Sequence, residues 1–178
     1  MRYIALLRGI NVGGNNKVEM KRLKVAFLNN GFENVETYIN SGNVIFDSNL
    51  KEKTTIATNV EVVIQNEFGL KVPVIVKTTE EFLKINNKIP DHWKNDLDRK
   101  SDVLFLWNDF DNKETLQYFS GSPEAETVIY VPGAILWNID RKQYNNSSVR
   151  KFFGTKLYKN MTARNINTVR KLCELLTK

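Results

Sequence analysis

One pattern occurs twice in this chain, and it leaves little freedom in the choice of fold. Each time an apolar, strand-like run leads through a helical stretch to a tight hairpin. In the first copy Arg2–Leu7 is the run, and Met20, Leu23 and Phe27 recur at helical spacing before the stop signal Asn30-Gly31. Val35–Ile39 and Asn43–Asp47 then read as strands about a two-residue turn, Ser41-Gly42. A long helix over Lys51–Phe68, closed by Gly69, and a strand over Val72–Lys77 complete the series, with Pro73 marking an edge. The order βαββαβ is that of the ferredoxin-like split unit.

The second copy starts after a short helix, Thr79–Asn87, and a polar connector, Pro90–Lys100. Val103–Trp107 is the strand and Lys113–Phe119 the helix. Thr127–Val131 and Ile135–Asp140 flank the turn Pro132-Gly133. The hairpins align at a constant offset of 91, Val35 to Glu126 and Asn43 to Ala134, whereas the leading strands sit 99 apart, Tyr3 to Asp102. The excess in the first copy falls most naturally in its glycine-rich loop, residues 9–16. The tail adds a short helical stretch, Ser147–Phe153, and a final helix, Ile166–Leu176, with Ile166, Val169, Leu172, Cys173 and Leu176 on one face. The expected fold is α+β with two packed subdomains. Residues 1–77 form the ferredoxin-like one; residues 78–178 form a related partial repeat, βαββα, with C-terminal helices.

Composition removes several classes of function. A chain of 178 residues needs no staples for its core. One cysteine and one histidine exclude an intrachain Cys/His zinc site, and no cofactor motif is recognised, so no cofactor is expected. The first apolar run, Tyr3–Leu7, is too short for a signal-peptide core, and no later run spans a membrane. A cytoplasmic protein with no membrane partner is expected, and a lone thiol fits a reducing compartment. The net charge of +6 is uneven: +3 over residues 1–77, −6 over 78–140 and +9 over 141–178. That basic tail suits either a polyanion such as nucleic acid or a plain solvated face.

Topology brings the chemistry-bearing residues together. In the order 4-1-3-2, the C-terminal end of the first strand lies beside the turn joining strands two and three. That edge collects Arg8, Gly9, Asn11, Gly13, Gly14, Lys17, Ser41 and Asn43. Glycines admit close approach of backbone N–H groups, a helix N-terminus favours an anion, and Arg8 and Lys17 add charge. The loop is neither a Walker A sequence nor GxGxxG; its glycines serve either an anionic or polar ligand or only tight turns. A second candidate is Arg164-Asn165: Thr162 or Asn165 can cap the last helix, and Arg164 then sits near its N-terminus, where a cation opposes the dipole and calls for an internal carboxylate or a ligand. His92 stands alone in a polar connector, and Cys173 reads as a core thiol. No nucleophile or general base is evident, so the sequence assigns no reaction and the catalytic residues are unknown. A small anionic ligand, possession of a nucleic-acid partner, and a protein-interaction role all stay open, as does the oligomeric state.

Three stretches carry a resemblance. Leu6-Leu7-Arg8-Gly9-Ile10-Asn11-Val12-Gly13-Gly14 with Lys17, Met20 and Leu23 closely resembles the opening of domain of unknown function family 1697. Thr37–Val44 with Phe46 is similar to its second signature, and Thr162, Arg164-Asn165, Thr168 and Lys171-Leu172 to its C-terminal one. The resemblance implies a small cytoplasmic bacterial protein of two α+β subdomains. It implies no activity.

Overall fold

The computed structural model describes residues 1–119, 124–151 and 154–178. The chain is α+β, with two four-stranded antiparallel sheets. It divides into two compact units, Met1–Phe82 with Leu176–Lys178, and Leu83–Leu175.

The first unit runs β1 (Arg2–Leu7), α1 (Met20–Asn29), β2 (Glu33–Tyr38), β3 (Asn43–Asp47), α2 (Lys53–Phe68) and β4 (Val74–Thr78). Its strand order is β2-β3-β1-β4, the split βαβ order expected from the sequence. Alternation along the strands turns Tyr3, Ala5 and Leu7 toward a core shared with Leu23 and Phe27 of α1 and with Ile56, Val60 and Ile64 of α2. Ile4, Leu6, Ile45 and Ile75 alternate with the core residues and are buried as well, so the central strands read as continuous apolar runs. β4 is an outer strand; Pro73 precedes it, and Glu61 accepts the Val74 N–H at 2.9 Å. Gly69 ends α2 at φ 68°, the left-handed position that glycine takes without strain.

From β4 the chain passes into α3 (Thr79–Asn86) through a capping box. The Thr78 N–H donates to Glu81 Oε2 at 2.9 Å and the Glu81 N–H to Thr78 Oγ1 at 3.2 Å.

The second unit is a complete repeat, which corrects the expected partial one. β5 (Arg99–Leu106), β6 (Glu126–Val131), β7 (Ala134–Asp140) and β8 (Met161–Asn165) take the order β6-β7-β5-β8. The correspondence reaches single hydrogen bonds. Leu7 N–H donates to Gly42 O at 2.8 Å, and Leu106 N–H to Gly133 O at 3.1 Å. Arg8 N–H donates to Pro73 O at 3.0 Å, and Trp107 N–H to Asn160 O at 3.1 Å. The first pair keeps both sequence offsets, 99 and 91; in the second, Arg8 and Trp107 keep the offset of 99 while Pro73 and Asn160 stand 87 apart. Helix α6 (Ile166–Leu176) follows β8 as α3 follows β4.

The helical parts of this unit are slighter than expected. Lys113–Phe119 is a 3₁₀ helix, as are Asn108–Phe110 and Arg141–Asn146. The stretch anticipated at Ser147–Phe153 is α4 (Ser148–Lys151), with Phe152 and Phe153 outside the described residues, and α5 (Lys156–Lys159) follows. Trp137, Leu104, Ile135, Ile139 and Leu157 centre the core on one face of the sheet. A buried carboxylate braces it: Glu126 accepts from Trp137 Nε1, from Ser148 N–H at 3.0 Å and from Ser148 Oγ at 2.5 Å. Among the described residues, no helix is long and apolar enough to cross a membrane.

Candidate functional site

At the C-terminal end of β1 the backbone turns left-handed again and again. Gly9, Asn11, Gly13, Gly14 and Asn16 all have positive φ, and so do Ile39 and Gly42 of the adjoining β2–β3 turn. These seven are more than half of the twelve such residues among those described. Asn11 organises the group. Its Nδ2 donates to Val18 O and to Asn40 O, both at 2.9 Å, and its Oδ1 accepts the Val18 N–H at 2.9 Å. Asn16 Nδ2 donates to Gly9 O at 3.0 Å, and the backbone closes through Asn11 N–H to Asn16 O and Asn15 N–H to Val12 O, each 3.1 Å. The loop is pinned at its base, while its tip, residues 12–17, is exposed. Among the described residues, the Gly13 and Gly14 amides donate to no protein group.

The β2–β3 connection is wider than the sequence suggested. β2 stops at Tyr38, and Ile39 joins the turn at φ 48°. A β-branched residue there is an outlier costing roughly 1–2 kcal/mol. Gly42 has no alternative: a Cβ on it would lie 2.7 Å from Leu7 Cβ and 3.0 Å from Ile10 Cδ1. Asn43 is fully buried, and its Nδ2 donates to Tyr38 O at 3.1 Å and Ser41 Oγ at 2.9 Å. Asn43 therefore supports the turn from within and leaves the set of side chains able to touch a ligand.

Of the residues expected at this edge, Gly9, Asn11, Gly13 and Gly14 share the loop, Asn11 joins it to the turn carrying Ser41, and Arg8 is half-buried beside Pro73. Lys17 is exposed where the loop enters α1. Helix α1 begins with no side-chain cap from Glu19 and no acidic residue in its first turn. Lys21, exposed in that turn, was not singled out from the sequence, and neither were Val12 and Ile39, exposed by 66% and 50%. Ile39 gave no signal because it continues an apolar run; only the backbone shows it leaving the strand.

Arg164 and Asn165 belong to the other unit, and Arg164 stands in the strand that runs directly into the last helix. Arg164 lies in β8, opposite Val103, 6% exposed, with Nη1 donating to Thr162 Oγ1 at 3.0 Å and Ala163 O at 2.8 Å. Burial lowers its pKa to about 10, so it stays charged at neutral pH. Asn165 Oδ1 caps α6 through the Thr168 N–H at 2.9 Å. Half of the basic tail is likewise engaged inside its own unit. Arg141 donates to Asp96 O, Arg170 to Trp93 O, Lys171 to Glu174, and Arg150 lies over the Tyr144 ring. Cys173 is buried, and desolvation, with Glu174 adding to it, pushes its thiol up to about 12.

The family model described as "Protein of unknown function (DUF1697)" matches residues 1–137. The chain belongs to this family. The Thr162–Leu172 stretch that resembles a family signature lies beyond the matched residues. A solved structure, that of a conserved bacterial protein from Streptococcus pneumoniae, is 30% identical, with a TM-score of 0.82 over 98% of each chain. No curated protein matches.

Proposed function

We propose that this family member binds a small phosphate- or carboxylate-bearing ligand at the edge formed by the loop 9–17 and the turn 39–42. Nucleotides are among the ligands such chemistry admits. The observation that carries the reading is the concentration of left-handed backbone, pinned by Asn11, with Gly13 and Gly14 in its exposed tip. Successive outward amides form a concavity for anions, and α1 adds the positive end of its dipole. Lys17 and Lys21 bring charge, and Arg8 stands at the base. A strained Ile39 in the facing turn supports the same reading, because such strain is kept where a site needs its geometry.

The test is a thermal-shift screen of the whole chain against phosphate, nucleotides and phosphosugars. A ligand at about a hundred times its dissociation constant adds roughly 2.7 kcal/mol. The reading expects one small phosphorylated compound to raise Tm, and Lys17→Gln and Gly14→Ala to abolish the rise while the protein stays folded. A panel without effect, or an effect indifferent to both variants, overturns it. Nucleic acid is the weaker reading, since Arg141, Arg150, Arg164, Arg170 and Lys171 are already engaged.

A further inference from the structure

A cavity of about 180 Å³ in the second unit is lined by His92, Trp93, Lys94, Arg99, Thr127 and Asn138. Three of these side chains can carry positive charge, two more offer hydroxyl or amide donors, and no carboxylate is among them. The geometry points to a binding site for a small oxyanion here, either a free phosphate-like ion or the phosphoryl group of a larger molecule.

The site is braced from beneath. The sheet register sets Ser101, Asn138 and Thr127 in a row across β5, β7 and β6. Arg99 Nη2 donates to Asn138 Oδ1, Asn138 Nδ2 donates to Ser101 Oγ at 2.5 Å, and Ser101 Oγ donates to Lys94 O at 2.6 Å. Asn138 is 2% exposed and Ser101 fully buried. One relay therefore fixes the guanidinium of Arg99 and the backbone of Lys94, and a cation held in advance binds an anion with less reorganisation. Arg99 is anchored by a neutral amide oxygen. Two nearby carboxylates are bonded to backbone amides: Asp96 accepts from the Arg99 and Asp98 amides at 2.9 and 3.0 Å, which with the charges of Lys94 and Arg141 hold its carboxyl below the usual range, and Asp140 accepts from the Lys142 amide at 2.8 Å. Size sets the ligand class. Sites for drug-sized molecules run to roughly 300–1,000 Å³, so this cavity suits an oxyanion headgroup and not a whole nucleotide.

The experiment is an NMR titration of the ¹⁵N-labelled full chain with inorganic phosphate. Saturable shifts are expected at the amides of Lys94, Arg99 and Thr127. Lys94→Gln and Arg99→Gln should each weaken binding at least tenfold, and Lys142→Gln should leave it unchanged. Lys94 is exposed, so its variant carries the test if Arg99→Gln fails to fold. Repeating the titration with phosphoserine separates the sources: tighter phosphate means a free ion, tighter phosphoserine a phosphoryl group on a larger partner. No saturable shift at these amides, or shifts indifferent to both variants, overturns the site. A response confined to residues 9–18 also overturns it, and leaves the loop reading standing.

Discussion

Asn11 holds Asn40: its Nδ2 donates to the Asn40 carbonyl at 2.9 Å, tying the loop after β1 to the hairpin beside it. The second unit makes the same tie with a different residue. Asp111, in the loop after β5, accepts from the Gly133 N–H at 2.6 Å and from Tyr130 OH at 2.9 Å. Each repeat thus locks its first loop to its hairpin through one short polar side chain. Asn11→Ala removes three hydrogen bonds at once and leaves a left-handed alanine. Net losses of about 0.5–1.5 kcal/mol per bond predict a destabilisation of several kcal/mol in urea unfolding. A loss below about 1 kcal/mol would show the loop to be held by something other than Asn11.

Gly42 is the position where a single methyl group should do most harm. The added Cβ would meet Leu7 Cβ at 2.7 Å, a side-chain carbon that no rotamer change can move aside. Overpacking costs about 1–3 kcal/mol, and the left-handed backbone roughly 1–2 more. Gly42→Ala should lower the unfolding free energy by that combined amount, whereas Gly14→Ala, with open space around it, should show the backbone cost alone. Equal losses at the two positions would contradict the clash.

What the sequence made legible follows from period and punctuation. β1, α2 and α6 were readable because apolar residues recur at one period and glycine or a polar cap ends the run. The edge joining the loop to the hairpin was readable because strand order in a split unit follows from element order. β8 was not. Met161-Thr162-Ala163-Arg164-Asn165 is five residues with an arginine on a buried face, a pattern that resembles a helix start more than a strand. Its partner β5 supplies the apolar context that local sequence lacks. The cavity at Arg99 was invisible for a similar reason: its donors come from a connector and three strands, and only the register aligns them.

Glu81 gives the first unit an acid-sensitive joint. Burial raises its pKa, but the Lys53 hydrogen bond, the Thr78 N–H and the charges of Lys53 and Lys77 together more than offset this and hold it below the ordinary 4.5. A carboxylate depressed in the folded state contributes stability above its unfolded pKa. That contribution is lost as pH falls through the folded value. Stability of the native chain should therefore fall as pH drops below about 4.5, and Glu81→Gln should flatten that part of the profile. Urea midpoints across the acid range measure both. A Glu81→Gln profile parallel to the native one would remove Glu81 from the acid response.

Ile39 sets stability against site geometry. The residue is half exposed, so little packing is lost by replacing it, and its backbone at φ 48° costs roughly 1–2 kcal/mol that asparagine or glycine would largely avoid. Ile39→Asn should accordingly raise the unfolding free energy by about 1 kcal/mol. If the strain serves a ligand gripped between the turn and the glycine-rich loop, the same variant should show a weaker stabilisation by that ligand. Residues kept at a cost to stability are the ones whose improvement harms function. A variant that is more stable and responds to ligand as before would separate the turn from the site. A variant that is less stable would mean that the isoleucine side chain holds the turn by packing.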